Sequence, residues 1–173
     1  MKKRSKKKSG LKYPRRRYVW AVLRIFIGLI FLWAFFDKTF GLGFATNLEN
    51  AWINGGSPTT GFLAHATNGF FAPFFQSLAG SALVDWLFML GLLGIGVALT
   101  FGILVRIGSL SGIALLFLMW LAVLPPKNNP FLDDHIIYIV ILVGLLIVHA
   151  GKALGLGSWW RRLDFVKRNK WLE

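Results

Sequence analysis

Ionisable side chains that could carry chemistry lie next to long apolar segments of this chain. Outside the basic ends of the sequence, the main acids and bases at these borders are Asp37, Lys38, Asp85, Asp133, Asp134 and His135. Carboxylates and an imidazole can hydrogen-bond a polar ligand and exchange protons near neutral pH. The sequence has no cysteine, which excludes thiolate nucleophiles, disulfides and cysteine-ligated zinc or iron–sulfur sites. The residues therefore favour proton exchange and hydrogen bonding.

Most of these residues also have a structural interpretation. Asp85, Asp133 and Asp134 precede apolar segments, where a carboxylate can cap the backbone amides of a helix N-terminus. Asp37 instead ends an apolar segment, where the helix dipole opposes a negative charge, so capping does not explain it. We expect Asp37 to have either a partner elsewhere in the chain or a functional role.

For the histidines, the two interpretations are ligand binding and simple solvation. His135 can hydrogen-bond a quinone carbonyl and exchange protons, or it can be a solvated side chain at a helix end. His149 follows it by 14 residues, which is about 21 Å along one helix, too far for both to ligate one haem. We therefore expect no haem. A metal site built from Asp133, Asp134, His135 and His65 is a further alternative, although we expect no metal.

The elements that must position these residues are membrane helices. The chain has 173 residues, is 55% hydrophobic and has a formal net charge of +13, whereas soluble domains are about 45–50% apolar. Four continuous apolar segments cover residues 19–36, 86–104, 107–124 and 136–153. Each is near the roughly 20 residues that cross a bilayer core as a helix. The sequence predicts an all-α, polytopic membrane protein, a four-transmembrane-helix bundle with a structured outer loop between the first and second helices.

The distribution of cations predicts how the bundle is oriented. Ten of the 20 lysines and arginines lie between Lys2 and Arg17, and six more lie from Lys152 onward. Arg106 lies in the turn between the second and third segments. An excess of cations marks the cytoplasmic side, so both termini are predicted to be cytoplasmic and the location to be the cell membrane. We expect Arg24, about one turn inside this boundary, to snorkel to the headgroups.

This pattern divides the chain into three parts. We predict a basic cytoplasmic tail over 1–18, a transmembrane domain over 19–153 and a basic cytoplasmic C-terminal tail over 154–173. The basic tail has no fold for reading bases, so we expect no nucleic acid as partner and assign the charge to anionic lipid headgroups.

The outer loop, residues 37–83, is too long to be without structure. Thr46 and Glu49 have capping-box spacing, which predicts a short helix that ends at Gly55-Gly56. Ser57-Pro58 predicts a second helix start and Pro73 a third.

Several motifs give the chain a resemblance to a known family. They are residues 24–38, which end in Phe35-Phe36-Asp37-Lys38, then Gly41-Leu42-Gly43, Asn54-Gly55-Gly56-Ser57-Pro58, residues 85–91, residues 129–135, which end in Asp133-Asp134-His135, and residues 155–160. On these motifs the chain resembles the DoxX family of small four-helix membrane proteins, including the DoxD-like subunits of thiosulfate:quinone oxidoreductase. The resemblance covers roughly residues 19–162.

The resemblance implies an integral membrane subunit associated with quinone-linked redox chemistry, with quinone bound near the outer membrane face. It also implies a partner subunit or a homo-oligomer. The alternative is a non-catalytic membrane anchor or assembly partner for a redox enzyme complex. On the first interpretation, the candidates for catalysis are Asp37, Asp85, Asp134 and His135, and the candidates for cofactor binding are Lys38, Trp33, Trp86 and His135.

Overall fold

The protein is helical in every regular element of the described chain. A computed structural model describes residues 14–127 and 129–172, and this part contains no β-strand. Its helices are α1 (Pro14–Phe40), α2 (Thr60–His65), α3 (Ala72–Gln76), α4 (Ala82–Phe101), α5 (Val105–Ala122), α6 (Asp134–Val148), α7 (Gly157–Trp160) and α8 (Asp164–Arg168). The all-α prediction is confirmed.

Three of these helices, α1, α4 and α5, are long and apolar enough to cross a membrane. Helix α6 has only 15 residues and is therefore about 22 Å long, shorter than the roughly 30 Å of a hydrocarbon core. The predicted fourth segment, 136–153, is shorter than expected because His149 takes a left-handed conformation (φ 49°) that ends the helix. A 3-10 turn over Ala150–Lys152 follows instead.

The four main helices alternate in direction. Lys38 of α1 and Asp85 of α4 both bond to the 57–59 segment. Asn68 bonds to Ala122 at the end of α5, and Trp120 of α5 bonds to Phe131, just before α6. These contacts place the end of α1, the start of α4, the end of α5 and the start of α6 together. We name this the cap end. Arg24 of α1 bonds to the carbonyls of Ala153 and Leu154, so the opposite ends of the helices also meet. We name this the basic end.

The helices are apolar outside as well as inside. Their core contains Phe31, Met89, Leu99 and Leu142, all at most 5% exposed. Large apolar side chains also cover the outward faces; examples are Phe26 (58% exposed), Leu87 (64%), Val140 (63%) and Ile147 (72%). A water-soluble surface rarely presents so continuous an apolar area. The exposed faces of α1, α4 and α5 therefore indicate a membrane protein, and α6 has the same character.

Helix α1 crosses α4 at very short range. A Cβ atom added at Gly28 would lie 2.5 Å from the backbone nitrogen of Thr100, so only glycine fits there. Gly108 of α5 packs against the Cβ of Ala98 in the same way. Close approach of small residues is the usual basis of helix association in lipid.

The segment between α1 and α4, residues 41–81, folds over the cap end and is named the cap. It contains 3-10 turns over Leu48–Asn50 and Trp52–Asn54, then α2 and α3. The predicted capping box is wrong, because Asn47 occupies the N-cap position and makes no side-chain cap bond. The predicted end at Gly55 is confirmed, since Gly55 is left-handed (φ 87°).

The later elements of the cap are also close to their predicted positions. Helix α2 begins at Thr60, two residues after the predicted start, and the Ser57 hydroxyl accepts the Thr60 amide. Pro73 lies in the first turn of α3, as predicted. Leu63 and Phe75 from these two helices pack with Ala122 of α5 in a second small core. The cap is therefore anchored on the bundle.

The C-terminal segment folds against the basic end. Its Leu156 amide donates to the Phe101 carbonyl at 2.8 Å, and Val166 is fully buried. It was predicted as a tail, but short helices α7 and α8 pack it onto the bundle. At the other terminus, α1 begins at Pro14, inside the predicted tail. Residues 1–13 of that tail lie outside the described residues.

Candidate functional site

Asp37 has a partner within the chain. Its carboxylate is only 2% exposed and accepts the backbone amides of Phe44 at 3.3 Å and Ala45 at 2.9 Å. The chain turns back at Gly41, whose amide bonds to the Asp37 carbonyl. The charge that the helix dipole opposes is therefore offset by backbone donors of the cap. Asp37 holds the beginning of the cap to the end of α1.

Asp85 holds the middle of the cap. One carboxylate oxygen, Oδ1, accepts the Ser57 hydroxyl at 2.9 Å, the Thr59 amide at 3.2 Å and the Thr59 hydroxyl at 2.5 Å. The prediction that Asp85 caps its own helix is wrong: Ser81 is at the N-cap of α4, and Asp85 lies in the first turn. Its lone pairs face the cap, which supplies the donors.

Lys38 acts on the same cap segment. Its ammonium group donates to the Pro58 carbonyl at 2.9 Å and lies 5.9 Å from the centre of the Phe88 ring. Since Lys38 also interacts electrostatically with Asp37 and Asp85, the three residues form one polar cluster at the junction of α1, α4 and the cap. Every hydrogen bond described for these side chains goes to the cap.

The two tryptophans predicted to bind a cofactor instead contact aromatic side chains of the cap. Trp33 packs edge-on against Phe44, with ring centres 5.0 Å apart, and Trp86 packs edge-on against Trp52 at 4.7 Å. Both are about half exposed. Neither lines a described cavity.

The second polar group lies at the start of α6. The Asp133 carboxylate accepts the Ile136 amide through Oδ1 at 3.3 Å and contacts the His135 ring through Oδ2, 2.6 Å from Nδ1. Asp133 is therefore the N-cap that the sequence predicts. Because Asp133 Oδ2 contacts Nδ1, the other ring nitrogen, Nε2, is the one that a further hydrogen-bond partner would meet. An acid–imidazole pair of this geometry can relay a proton.

A cavity of about 420 Å³ adjoins this pair and is named the cap-end cavity. Asp134 and Lys127 are its exposed charged groups, and Asp133 also borders it. Its remaining walls come from Ala66, Asn68, Val123, Pro126 and Leu132. Within the described residues, Asp134 makes no side-chain hydrogen bond, which distinguishes it from Asp37, Asp85 and Asp133.

The structure therefore separates the predicted site into two groups. Asp37, Lys38 and Asp85 come together as a polar cluster that holds the cap. Asp133 and Asp134 line the cap-end cavity, and His135 contacts Asp133 without lining it; no described hydrogen bond links the two groups. Among the described residues, no three His, Asp or Glu side chains converge closely enough to hold a metal ion.

Arg24 is a buried cation that the sequence did not reveal as such. The prediction that it snorkels to the membrane surface is wrong: the side chain is 0% exposed. Its Nη2 donates to the carbonyls of Ala153 (3.2 Å) and Leu154 (2.6 Å), whereas Nε and Nη1 have no partner among the described residues. The C-terminal segment folds over the guanidinium, which sequence periodicity did not predict.

No protein family, curated protein or solved structure matches the chain.

Proposed function

We propose that this protein is an integral membrane subunit of a quinone-linked redox system and that a quinone headgroup binds in the cap-end cavity. The observation that carries the proposal is the Asp133–His135 pair, at 2.6 Å, beside a cavity lined by Asp134 and Lys127. A cavity of about 420 Å³ is within the usual range for small-ligand sites, about 300–1,000 Å³. The resemblance to quinone-linked membrane subunits agrees with this chemistry.

The roles of the lining groups follow from their donor and acceptor chemistry. The Lys127 ammonium donates to a quinone carbonyl, and the apolar wall from Val123, Pro126 and Leu132 contacts the ring. Reduction to the quinol needs two electrons and two protons. The resemblance implies that a partner subunit supplies the electrons by oxidising a sulfur compound. Asp134 and the Asp133–His135 pair deliver the protons to the ring oxygens.

On this proposal, only some of the predicted site residues take part in quinone chemistry. Asp37, Lys38 and Asp85 now support the cap, and Trp33 and Trp86 contact cap aromatics. We accordingly assign proton exchange to Asp134 and His135.

Binding of a short-chain quinone to the purified full chain tests the proposal. Loss of a hydrogen bond to a charged group costs about 1.5 kcal/mol or more, so we expect Lys127→Gln to raise Kd about tenfold. Asp134→Asn should instead slow quinone reduction in the complex with the partner subunit, because an amide does not deliver a carboxyl proton. Glu49→Gln is the matched control, since Glu49 is an exposed acid of the cap that does not line the cavity. Equal affinity in Lys127→Gln and Glu49→Gln would remove this site from consideration.

A second function, a non-catalytic anchor or assembly partner, is favoured by a different observation. The described hydrogen bonds of the polar cluster all go to the cap, and the cap presents Phe44 (72% exposed), Phe70 (88%) and Phe74 (61%) at its surface. On this alternative, His135→Ala and Asp134→Asn leave co-purification with a partner and quinone-dependent turnover of the complex unchanged. Reduced turnover with intact co-purification supports the quinone proposal instead.

A further inference from the structure

A second cavity lies at the basic end, opposite the cap. It has a volume of about 560 Å³ and is named the basic-end cavity. The turn between α4 and α5, the end of α6, the 3-10 turn after it and helix α7 enclose it. It differs from the cap-end cavity in the charge of its walls.

Cations line the basic-end cavity. Arg106, Lys152 and Arg161 lie in its wall together with His149. No Asp or Glu is among its lining residues within the described chain. Arg106 and Lys152 are exposed at the surface, and Arg161 uses Nε to bond to the Gly157 carbonyl at 3.3 Å. A concave site with charges of one sign concentrates the opposite ion.

Two further arginines lie near the wall, Arg24 buried behind it and Arg17 exposed at the surface. Arg24 packs directly against Gly102, a lining residue, and a side chain at Gly102 would occupy the place of its guanidinium. Its Nε and Nη1 are buried without a partner among the described residues. Arg17 donates to the Lys152 carbonyl. A buried guanidinium stays charged, so these groups add positive potential that no described carboxylate offsets.

The backbone at this cavity presents one helix N-terminus and two helix C-termini. Helix α5 begins at Val105 in the cavity wall, and its N-cap residue, Leu104, gives no side-chain cap. The first amides of a helix are partial positive charges. The carbonyl ends of α4 and α6 also lie here and oppose the α5 amides, although Ala98, Phe101 and Leu145 accept bonds from backbone amides. The positive potential of the cavity therefore comes from its arginine and lysine side chains.

We propose that the basic-end cavity binds a phosphate monoester or diester anion. A compact anion of this kind is bound by several positively charged hydrogen-bond donors. Arg106 and Lys152 are the first such donors that an entering anion would contact. An anionic phospholipid headgroup and a soluble phosphate compound share this chemistry. The site is separate from the cap-end cavity, so anion binding here does not depend on quinone binding there.

The test is titration of the purified full chain, in a zwitterionic detergent, with dioleoylphosphatidylglycerol and native mass spectrometry to count bound molecules. Each cation near a phosphate is worth about 1 kcal/mol, or about fivefold in Kd. We expect Arg106→Gln to weaken binding about fivefold and Arg106→Gln with Lys152→Gln about 25-fold. Arg162→Gln with Lys167→Gln is the matched control, because both residues are exposed in the same segment and neither lines the cavity.

Two competitors distinguish the sources of the anion. Displacement of the lipid by glycerol 3-phosphate, with the same loss in the Arg106 and Lys152 variants, assigns the site to a soluble phosphate compound. Retention of phosphatidylglycerol in excess glycerol 3-phosphate assigns it to a lipid headgroup. The proposal is overturned if phosphatidylcholine binds as well as phosphatidylglycerol, if neither probe binds, or if the two double variants lose affinity equally.

Discussion

Replacement of Asp85 by alanine is expected to detach the cap while leaving the helices in place. Oδ1 of Asp85 accepts three bonds, and the Thr59 amide and hydroxyl are both buried. Each buried donor left without an acceptor costs about 1–3 kcal/mol. Two such donors give about 2–6 kcal/mol for Asp85→Ala. Asp85→Asn keeps an acceptor oxygen but loses the charge, so we expect about 1–2 kcal/mol.

The assay is thermal unfolding of the purified protein in detergent, combined with limited proteolysis of residues 41–81 and near-ultraviolet circular dichroism. The Trp52–Trp86 pair, at 4.7 Å, lies beside Asp85 and reports the position of the cap. The control is Asp134→Ala, an exposed acid in the first turn of α6, for which the helix dipole predicts a loss of only about 0.3–1 kcal/mol. If the two alanine variants unfold alike and resist protease alike, Asp85 does not hold the cap.

Three further variants test other parts of the fold. Gly28→Leu should destabilise the protein by about 3 kcal/mol or more, because the added side chain meets the Thr100 backbone; unfolding of the detergent-solubilised protein measures this, and a neutral result would contradict the close crossing. Asp37→Ala should cost about 1–3 kcal/mol and speed cleavage within the cap, since two amides lose their acceptor; an unchanged cleavage rate would show that these bonds are dispensable. Asp133→Ala should free the His135 ring and destabilise α6 by about 1 kcal/mol; NMR of the ring protons and thermal unfolding check both, and an unchanged ring environment would contradict the pairing.

The sequence predicted the helices better than their ends. Long apolar segments define α1, α4 and α5 because lipid requires backbone bonds within each segment. The end of α6 was misplaced because apolar residues continue past Val148, while the turn depends on the left-handed backbone of His149. Hydropathy alone does not report that conformation.

The candidate site was only partly predictable. Asp133 was recognised as a helix cap because the signal is local in sequence. The bonds of Asp85 to Thr59 and of Arg24 to Leu154 join residues 26 and 130 positions apart. A single sequence does not show such pairs. The sequence therefore indicates candidate ionisable residues but does not separate those that hold the cap from those beside the cavity.

The most direct test of quinone binding at the cap-end cavity is photo-crosslinking with an azidoquinone, followed by peptide mapping of the labelled full chain. The account predicts labels at Ala66 and Asn68 of the cap, and in residues 123–127 and 129–134. It also predicts that excess unlabelled quinone and Lys127→Gln both reduce this labelling, whereas Glu49→Gln does not. Labels confined to the exposed lipid-facing sides of α1 and α4, unchanged by Lys127→Gln, would contradict it.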